Sequence, residues 1–180
     1  MNLLKYIFEI NLYFYYKNIN MLETIEIRRN ICIDDENLDS NYKEHLLEKI
    51  KIITKNECSK NHGHIIEIIE IVEILDNKIS SAKANIIFDI IFKAKVLKPM
   101  QNKKYDANVC MITEDGIFLD VYNKINILLP KNELCDYELK DDRYINKKNK
   151  KSIKYGDIIN VGIRDTQYSN KNFSSIGFLM

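Results

Sequence analysis

Aromatic and basic side chains in the second half of the chain could bind single-stranded nucleic acid. Phe118 and Tyr122 share one face of an alternating segment, and rings exposed on such a face can stack on unpaired bases. The segment 140–154 carries seven basic and two acidic residues, and cations of this kind attract phosphates without reading sequence. Its central candidates are Lys147, Lys148, Lys150 and Lys151. The alternative is that Phe118 packs in the interior and that the lysines form a solvated loop.

The stretch CSKNHGH brings together three residue types that can ligate a metal, namely Cys58, His62 and His64. A fourth ligand at a spacing typical of zinc sites is missing, so we expect a polar loop with no metal and no cofactor. The sequence also shows no nucleophile beside a base, no glycine-rich phosphate loop and no carboxylate pair beside a histidine. These patterns predict a binding protein without catalytic residues of its own.

Charge and cysteine content restrict the class of protein. The 27 basic and 26 acidic residues nearly balance, so any nucleic-acid surface must be local. The four cysteines are widely spread without a CxxC pair, which favours a reducing, intracellular compartment over a disulfide framework. The abundance of Ile, Asn and Lys is typical of an AT-rich genome.

The first twenty residues, MNLLKYIFEINLYFYYKNIN, are apolar enough to be compared with a signal or anchor segment. Lys5 and Glu9 interrupt the apolar run, which is too short to span a bilayer, and no small-residue cleavage site follows. We therefore expect no membrane partner. Residues 1–20 read as an extension before Met21, with an additional ordered strand as the alternative.

Residues 21–98 predict a small α+β domain. Residues 23–29 and 86–97 alternate as strands, and 41–56 has one apolar helical face, with Asp39 or Ser40 as the cap. That face comprises Tyr42, Leu46, Leu47, Ile50 and Ile53. The segment 64–75 is ambiguous, because its glutamates recur every third residue as on a helix. Its β-branched content favours a strand.

Residues 99–180 predict a five-stranded barrel of the OB type. Pro99 ends the preceding strand, and the residues beyond it form five short alternating segments with no strong helix. The turn signal EDG (114–116) joins the first two strands, and 140–154 reads as a polar basic loop. The stretch FDIIFKAKVLKPMQNKKYDANV is therefore interpreted as the joint between two domains.

Three stretches together resemble the stalk subunit shared by archaeal and eukaryotic RNA polymerases, which in RNA polymerase II is the seventh subunit. CSKNHGHIIEIIEI resembles the family's Gly-Lys-Tyr-Gly loop and the strand that follows it. IIFKAKVLKPMQNKKYDANV resembles the junction into the S1-type barrel, and GDIINVGIRDTQYSNKNFSSIGFLM resembles the barrel's end. The resemblance covers Met21 to Met180. It implies an RNP-like tip domain followed by an S1-type OB barrel.

The resemblance also implies partners and sites. The tip would dock on the polymerase core and pair with a fourth-subunit-like partner, and the barrel would contact nascent single-stranded RNA. The docking candidates are Lys60, Asn61, His62, Gly63, Lys98 and Pro99. Residues 129–134 lie where many S1 domains carry a His and a Ser near the RNA. Neither is present, and Lys131 and Asn132 would substitute for them. Arg164 could extend the basic surface or be an ordinary surface charge.

The chain departs from the family pattern in its loops. Lys60 and His62 replace the family's first Gly and its Tyr, and Asn102 replaces the junction Gly. This divergence and the AT-rich composition suggest a large DNA virus or an AT-rich parasite as the source, with the protein in the nucleus, the host cytoplasm or the virion. The alternative function is a free-standing single-stranded RNA-binding S1 protein acting in translation. The nearest such case places the barrel before the helical domain, the reverse of the order here.

Overall fold

The computed structural model describes residues 22–34, 37–79 and 85–180. These residues form two compact units, Leu22–Lys98 and Pro99–Met180. The described parts are mostly β and contain one α-helix. The predicted extension 1–20 lies outside the described residues, as do residues 80–84. The elements of the first unit are β1 (Glu23–Asp34), α1 (Tyr42–Thr54), β2 (Cys58–Ser59), β3 (Gly63–Ile79) and β4 (Asn85–Leu97).

The first unit is a four-stranded sheet in the order β1-β4-β3-β2, with α1 packed against one face. Leu46 and Ile50 are fully buried on the sheet beside Phe92, as the helical periodicity predicts. Ile53, predicted on the same face, is 43% exposed. Thr54 is buried instead and donates its hydroxyl to the Ile50 carbonyl oxygen at 2.7 Å. The α1 apolar stripe is thus narrower at its end than the sequence pattern suggested.

The N-terminus of α1 also differs from its prediction. Asn41, rather than Asp39 or Ser40, is the N-cap residue, and its side chain makes no capping hydrogen bond. The Asp39 carboxylate instead accepts the Asn41 backbone N–H at 2.7 Å and lies 3.4 Å from the His45 ring nitrogen. Asp39 therefore organises the turn before the helix without being the cap itself.

The segment with period three is a strand, and its period has a structural cause. Residues 65–76 of β3 repeat in groups of three. The first residue of each group is an isoleucine that faces the helix-covered side of the sheet, the second is bulged and has no partner on β4, and the third is acidic. The register with β4 shifts four times, between Ile65 and Glu67 and at each equivalent step along the strand, so three β3 residues span two β4 residues. The bulged residues Ile69, Val72 and Leu75 are 40–43% exposed. A helix-like spacing of glutamates is thereby accommodated in a sheet.

These bulges keep the two faces of the sheet chemically distinct. Ile68 and Ile71 pair with Ala94 and Phe92 on the helix-covered face. The acids fall on the opposite face, where Glu67 forms an ion pair with Lys95 at 2.7 Å and Glu70 forms one with Lys93 at 3.3 Å. Farther along this face Arg28 binds both carboxylate oxygens of Asp89. A one-residue slip would exchange the two sets, so the bulges preserve a buried apolar face.

The second unit is a closed five-stranded, OB-like barrel in the order β11-β12-β7-β6-β5. Strands β7 and β12 pair in parallel and the other neighbours pair antiparallel, so the chain crosses over once before closing the barrel. Inward residues alternate along each strand, as with Ile117, Leu119 and Val121 on β6. The barrel strands are β5 (Lys104–Thr113), β6 (Gly116–Val121), β7 (Ile125–Pro130), β11 (Ile158–Ser169) and β12 (Asn172–Leu179).

The connection between β7 and β11 contains strands where the sequence predicts a polar basic loop over 140–154. A 3-10 turn, Lys131–Leu134, leads into a three-stranded antiparallel sheet. Its central strand buries Tyr144, whose hydroxyl donates to the Thr113 carbonyl oxygen at 2.8 Å. Two buried apolar side chains, Tyr144 and Ile153, among many lysines were too weak a pattern to predict strands. The three strands are β8 (Tyr137–Lys140), β9 (Arg143–Asn146) and β10 (Ser152–Ile153).

Deleting Val72 should leave the first unit folded, with a loss of about 1 kcal/mol or less in the free energy of unfolding. The deletion removes one bulged residue and leaves Ile71 opposite Phe92 and Glu73 opposite Ile91, so every inward side chain keeps its face. Urea unfolding followed by hydrogen exchange on peptides of this unit measures the loss.

Deleting Asn30 from β1 is the matched control, because β1 pairs with β4 without a bulge. That deletion would turn Ile31 and Ile33 toward solvent and should cost more than about 3 kcal/mol. Equal losses for the two deletions would show that the β3 bulges do not absorb a change of one residue.

Candidate nucleic-acid interface and docking loop

Phe118 lies on the outside of the barrel in a row of apolar side chains. Its cross-strand neighbours are Met111 on β5 and Leu128 on β7, and Leu128 pairs in turn with Ile176 on β12. Met111 is 50% and Ile176 43% exposed, while Phe118 and Leu128 are half-buried. We call these four residues the outer apolar row. It provides a surface, four strands wide, on which a flat apolar ligand such as a nucleobase could lie.

A polar row runs beside the outer apolar row. Asp120 on β6 pairs with Asn108 on β5 and with Asn126 on β7, which itself pairs with Ser174 on β12. The Asp120 carboxylate accepts the backbone N–H of Asn123 at 2.7 Å and so holds the β6–β7 turn. Amides and hydroxyls next to apolar side chains suit a ligand that has both flat faces and polar edges.

Tyr122 lies beyond the end of β6, so alternation along that strand does not place it on the face of Phe118. β6 ends at Val121, and both Tyr122 and Asn123 have left-handed backbones, with φ of +59° and +53°. The Tyr122 hydroxyl oxygen is buried. Alternation fails because the chain has already entered the turn, which the sequence signals only through Asn123.

Three of the predicted basic residues contact one short segment, Lys131–Asp136. Arg164 forms an ion pair with Glu133 in this segment and lies 6.0 Å from the centroid of the Phe178 ring. Lys147 donates its ammonium to the Cys135 carbonyl oxygen at 2.8 Å, and Lys148 lies 3.2 Å from the Asp136 carboxylate. These three cations are thus brought together, but each is already bound to an acceptor within the protein.

The other predicted cations have exposed side chains. Lys131 is exposed while its backbone N–H donates to the Asp115 carbonyl oxygen at 2.8 Å. Lys150 and Lys151 are exposed at the turn between β9 and β10, where Lys150 has a φ of +60°. Cations exposed in this way can pair with phosphate without first breaking an internal contact. Lys150 and Lys151 therefore fit the expected chemistry better than Lys147 and Lys148.

The candidate docking residues of the first unit meet at the turn between β2 and β3. The Lys98 ammonium donates to the Asn61 carbonyl oxygen at 2.8 Å, and the His62 backbone N–H donates to the Ser59 hydroxyl at 3.2 Å. Lys60 and Asn61 are exposed at the tip of this turn. Pro99 is buried and begins the second unit.

Gly63 is required where this turn enters β3. Its φ is +76°, and a Cβ atom there would lie 2.2 Å from the Leu97 carbonyl oxygen. No side chain fits such an approach. Gly63 therefore fixes the start of β3 against the end of β4 and sets the position of Lys60–His62.

A salt bridge joins β1 to the residue just before β2. Arg29 binds both carboxylate oxygens of Glu57 at 2.7 Å, and both side chains are mostly buried. These hydrogen bonds hold the pKa of Glu57 below its ordinary value. Burial and the neighbouring Glu57 raise the pKa of the Cys58 thiol, which opposes its use as a metal-binding thiolate. Across 22–34, 37–79 and 85–180, no group of three or more His, Cys, Asp or Glu residues is placed to hold a metal ion.

Comparison with known proteins adds no identification. No model of a known protein family matches the chain, and no curated protein matches it at a significant level. In the part of the chain that the structure describes, no helix combines the length and apolar character needed to cross a membrane.

Three members of the outer apolar row could not be predicted from the sequence. Met111, Leu128 and Ile176 lie far apart in sequence and adjoin Phe118 only through strand register. The β5–β6 bulge between Val109 and Met111 shifts that register by one residue. Alternation within one strand placed Phe118 on the face opposite Ile117 and Leu119 but could not predict which residues surround it.

Replacing Gly63 with Ala should lower the free energy of unfolding of the first unit by about 3 kcal/mol or more, because the new Cβ would collide with backbone. Gly156→Ala is the matched control. Gly156 has a similar φ of +80°, but a Cβ there would meet nothing within 4 Å, so we expect a loss of about 1 kcal/mol in the second unit. Denaturant-dependent hydrogen exchange, read separately for each unit, measures both. Similar losses would contradict the close approach at Leu97.

Proposed function

We propose that this protein is a non-catalytic subunit of a DNA-directed RNA polymerase, forming the stalk with a fourth-subunit-like partner and contacting nascent RNA. The observation that carries the proposal is the order of its parts. A sheet-and-helix unit ends at Lys98, and a closed OB-like barrel with parallel β7 and β12 begins at Pro99. This is the order that the resemblance to stalk subunits implies, with the first unit as an RNP-like tip and the second as an S1-type barrel.

Docking on the polymerase core is assigned to the first unit. The turn Lys60–Gly63 is held by Gly63 and by the hydrogen bond from Lys98, so its exposed tip has one defined shape. Asn102, which replaces the family's junction Gly, has a φ of +63°. Asparagine tolerates this left-handed conformation better than most residues, so the substitution is compatible with a glycine-like junction.

Pairing with a second subunit is supported by exposed apolar side chains on β3. Ile69, Val72 and Leu75 are each at least 40% exposed and recur every third residue along the strand. Contiguous exposed apolar surface is typical of interaction sites. A protein partner that covered this row would remove it from water.

RNA contact is assigned to the barrel. The faces of strands equivalent to β6 and β7 form the oligonucleotide surface of OB folds, and Phe118 and Leu128 lie on them. Lys150 and Lys151 would supply phosphate contacts. Binding of this kind holds emerging RNA while the large polymerase subunits carry out nucleotide addition. The protein would act inside the cell, in the nucleus, the host cytoplasm or the virion.

Replacing Lys150 and Lys151 together with Ala should weaken the binding of a labelled 12-nucleotide single-stranded RNA and reduce the slope of log K against log salt by roughly 1 to 1.5. The pair Lys147 and Lys148, replaced in the same way, should change that slope less, because both cations already contact Cys135 and Asp136. Fluorescence anisotropy across a salt series gives both quantities.

Lys51→Ala with Lys55→Ala is the matched control, because it removes two exposed cations from the first unit. This double variant should bind RNA with an unchanged salt slope. An unchanged slope for the Lys150 and Lys151 variant would remove that turn from the RNA surface. A full-length chain that bound no RNA would contradict the assignment of RNA contact to the barrel.

A further inference from the structure

The turn before β11 presents a tyrosine that lies outside the outer apolar row. Tyr155 is 76% exposed in the turn Lys154–Asp157, which joins β10 to β11. Exposing an aromatic ring to this extent sacrifices apolar burial and contributes nothing to the barrel core. Tyr144, on β9, is buried, as tyrosines that stabilise a fold usually are.

The turn that carries Tyr155 is held rigidly on the barrel. The Gly156 N–H donates to the Val109 carbonyl oxygen at 2.9 Å, and the Val109 N–H donates to the Asp157 carbonyl oxygen at 2.8 Å. The Asp157 carboxylate also accepts the Lys154 N–H at 2.9 Å. The ring therefore projects from a fixed backbone, and a ligand that contacts it would not have to order the turn first.

This attachment places the turn beside the outer apolar row. Val109 takes part in both hydrogen bonds through its backbone. It lies two residues before Met111, the β5 member of the outer apolar row. Ile158, which follows the turn, is 44% exposed and pairs with Asn108 on β5. The strand β11 that follows the turn lies two strand spacings, or roughly 10 Å, from β6, the strand that carries Phe118. Only a few nucleotides of single-stranded RNA are needed to span that distance.

The charge around Tyr155 favours a polyanion. Lys150, Lys151 and Lys154 all have exposed side chains within five residues of the ring. The nearest acid in sequence, Asp157, has a carboxylate oxygen engaged by the Lys154 N–H. An aromatic ring flanked by mobile cations is the usual combination for stacking an unpaired base while neutralising its phosphates.

We propose that Tyr155 is a second base-stacking residue for single-stranded RNA, which extends the binding path from Phe118 across β5 to the lysines of the β9–β11 connection. This inference rests on the proposed function of the barrel and names a residue and a direction that the proposed function does not require. Phe118 and Tyr155 would each stack on a base, with Lys150, Lys151 and Lys154 along the backbone of the same strand.

The test compares Tyr155→Ala, Tyr155→Phe and Phe118→Ala in the full chain, using a labelled 12-nucleotide oligouridylate and fluorescence anisotropy. Tyr155→Ala should weaken binding about 5- to 30-fold, because one stacking contact is lost. The salt slope should not change, because no charge is removed. Tyr155→Phe should bind within about 2-fold of the natural chain, since the ring is kept.

A second readout does not depend on a variant. Photocrosslinking of the natural chain to RNA containing 4-thiouridine, followed by peptide mass spectrometry, should identify the peptide that carries Tyr155. Natural binding by Tyr155→Ala together with weakened binding by Phe118→Ala would overturn this inference and leave the proposed RNA contact standing. A natural chain that bound no oligouridylate would overturn both.

Discussion

The pairing of β3 with β4 is the constraint on which the first unit depends. β3 advances three residues for every two of β4, and each step places an isoleucine against the helix-covered core and an acid on the opposite face. Gly63 fixes where this register begins, because only a residue without a Cβ can approach the Leu97 carbonyl oxygen so closely. From that starting point the ion pairs of Glu67 with Lys95 and of Glu70 with Lys93 follow in order. A different start would separate acids from lysines and expose the core.

The same constraint connects fold to function in this unit. Three of the four bulged residues, Ile69, Val72 and Leu75, are 40–43% exposed. The bulges that keep the core buried therefore also create an exposed apolar row on β3. Gly63 likewise shapes the turn whose tip is proposed to dock on a polymerase. In the second unit, strand register has an equivalent role, because it assembles the outer apolar row from four separate strands.

Local patterns were sufficient for much of the fold. Alternation correctly indicated the strands of the barrel, and the turn signal at Glu114–Gly116 correctly joined β5 to β6. The β-branched content of 64–75 outweighed its misleading helical period. Local sequence patterns gave the wrong secondary structure where a tertiary contact determines it. The β8–β10 sheet buries Tyr144 and Ile153, which the local pattern did not indicate, and β6 ends at Val121, one residue before Tyr122. The candidate site was predicted only in part. The cross-strand neighbours of Phe118 are set by strand register, and the acceptors that bind Lys147 and Lys148 are set by tertiary packing, so neither could be read from the local sequence.

We propose that this chain is a stalk component of an RNA polymerase. Affinity purification of the tagged full-length protein from its native cells or infected host, followed by mass spectrometry, tests this proposal most directly. We expect recovery of the two large polymerase subunits together with a small partner resembling the fourth subunit. Recovery of ribosomal or initiation proteins without polymerase subunits would contradict it. That result would instead support a free-standing RNA-binding protein that acts in translation.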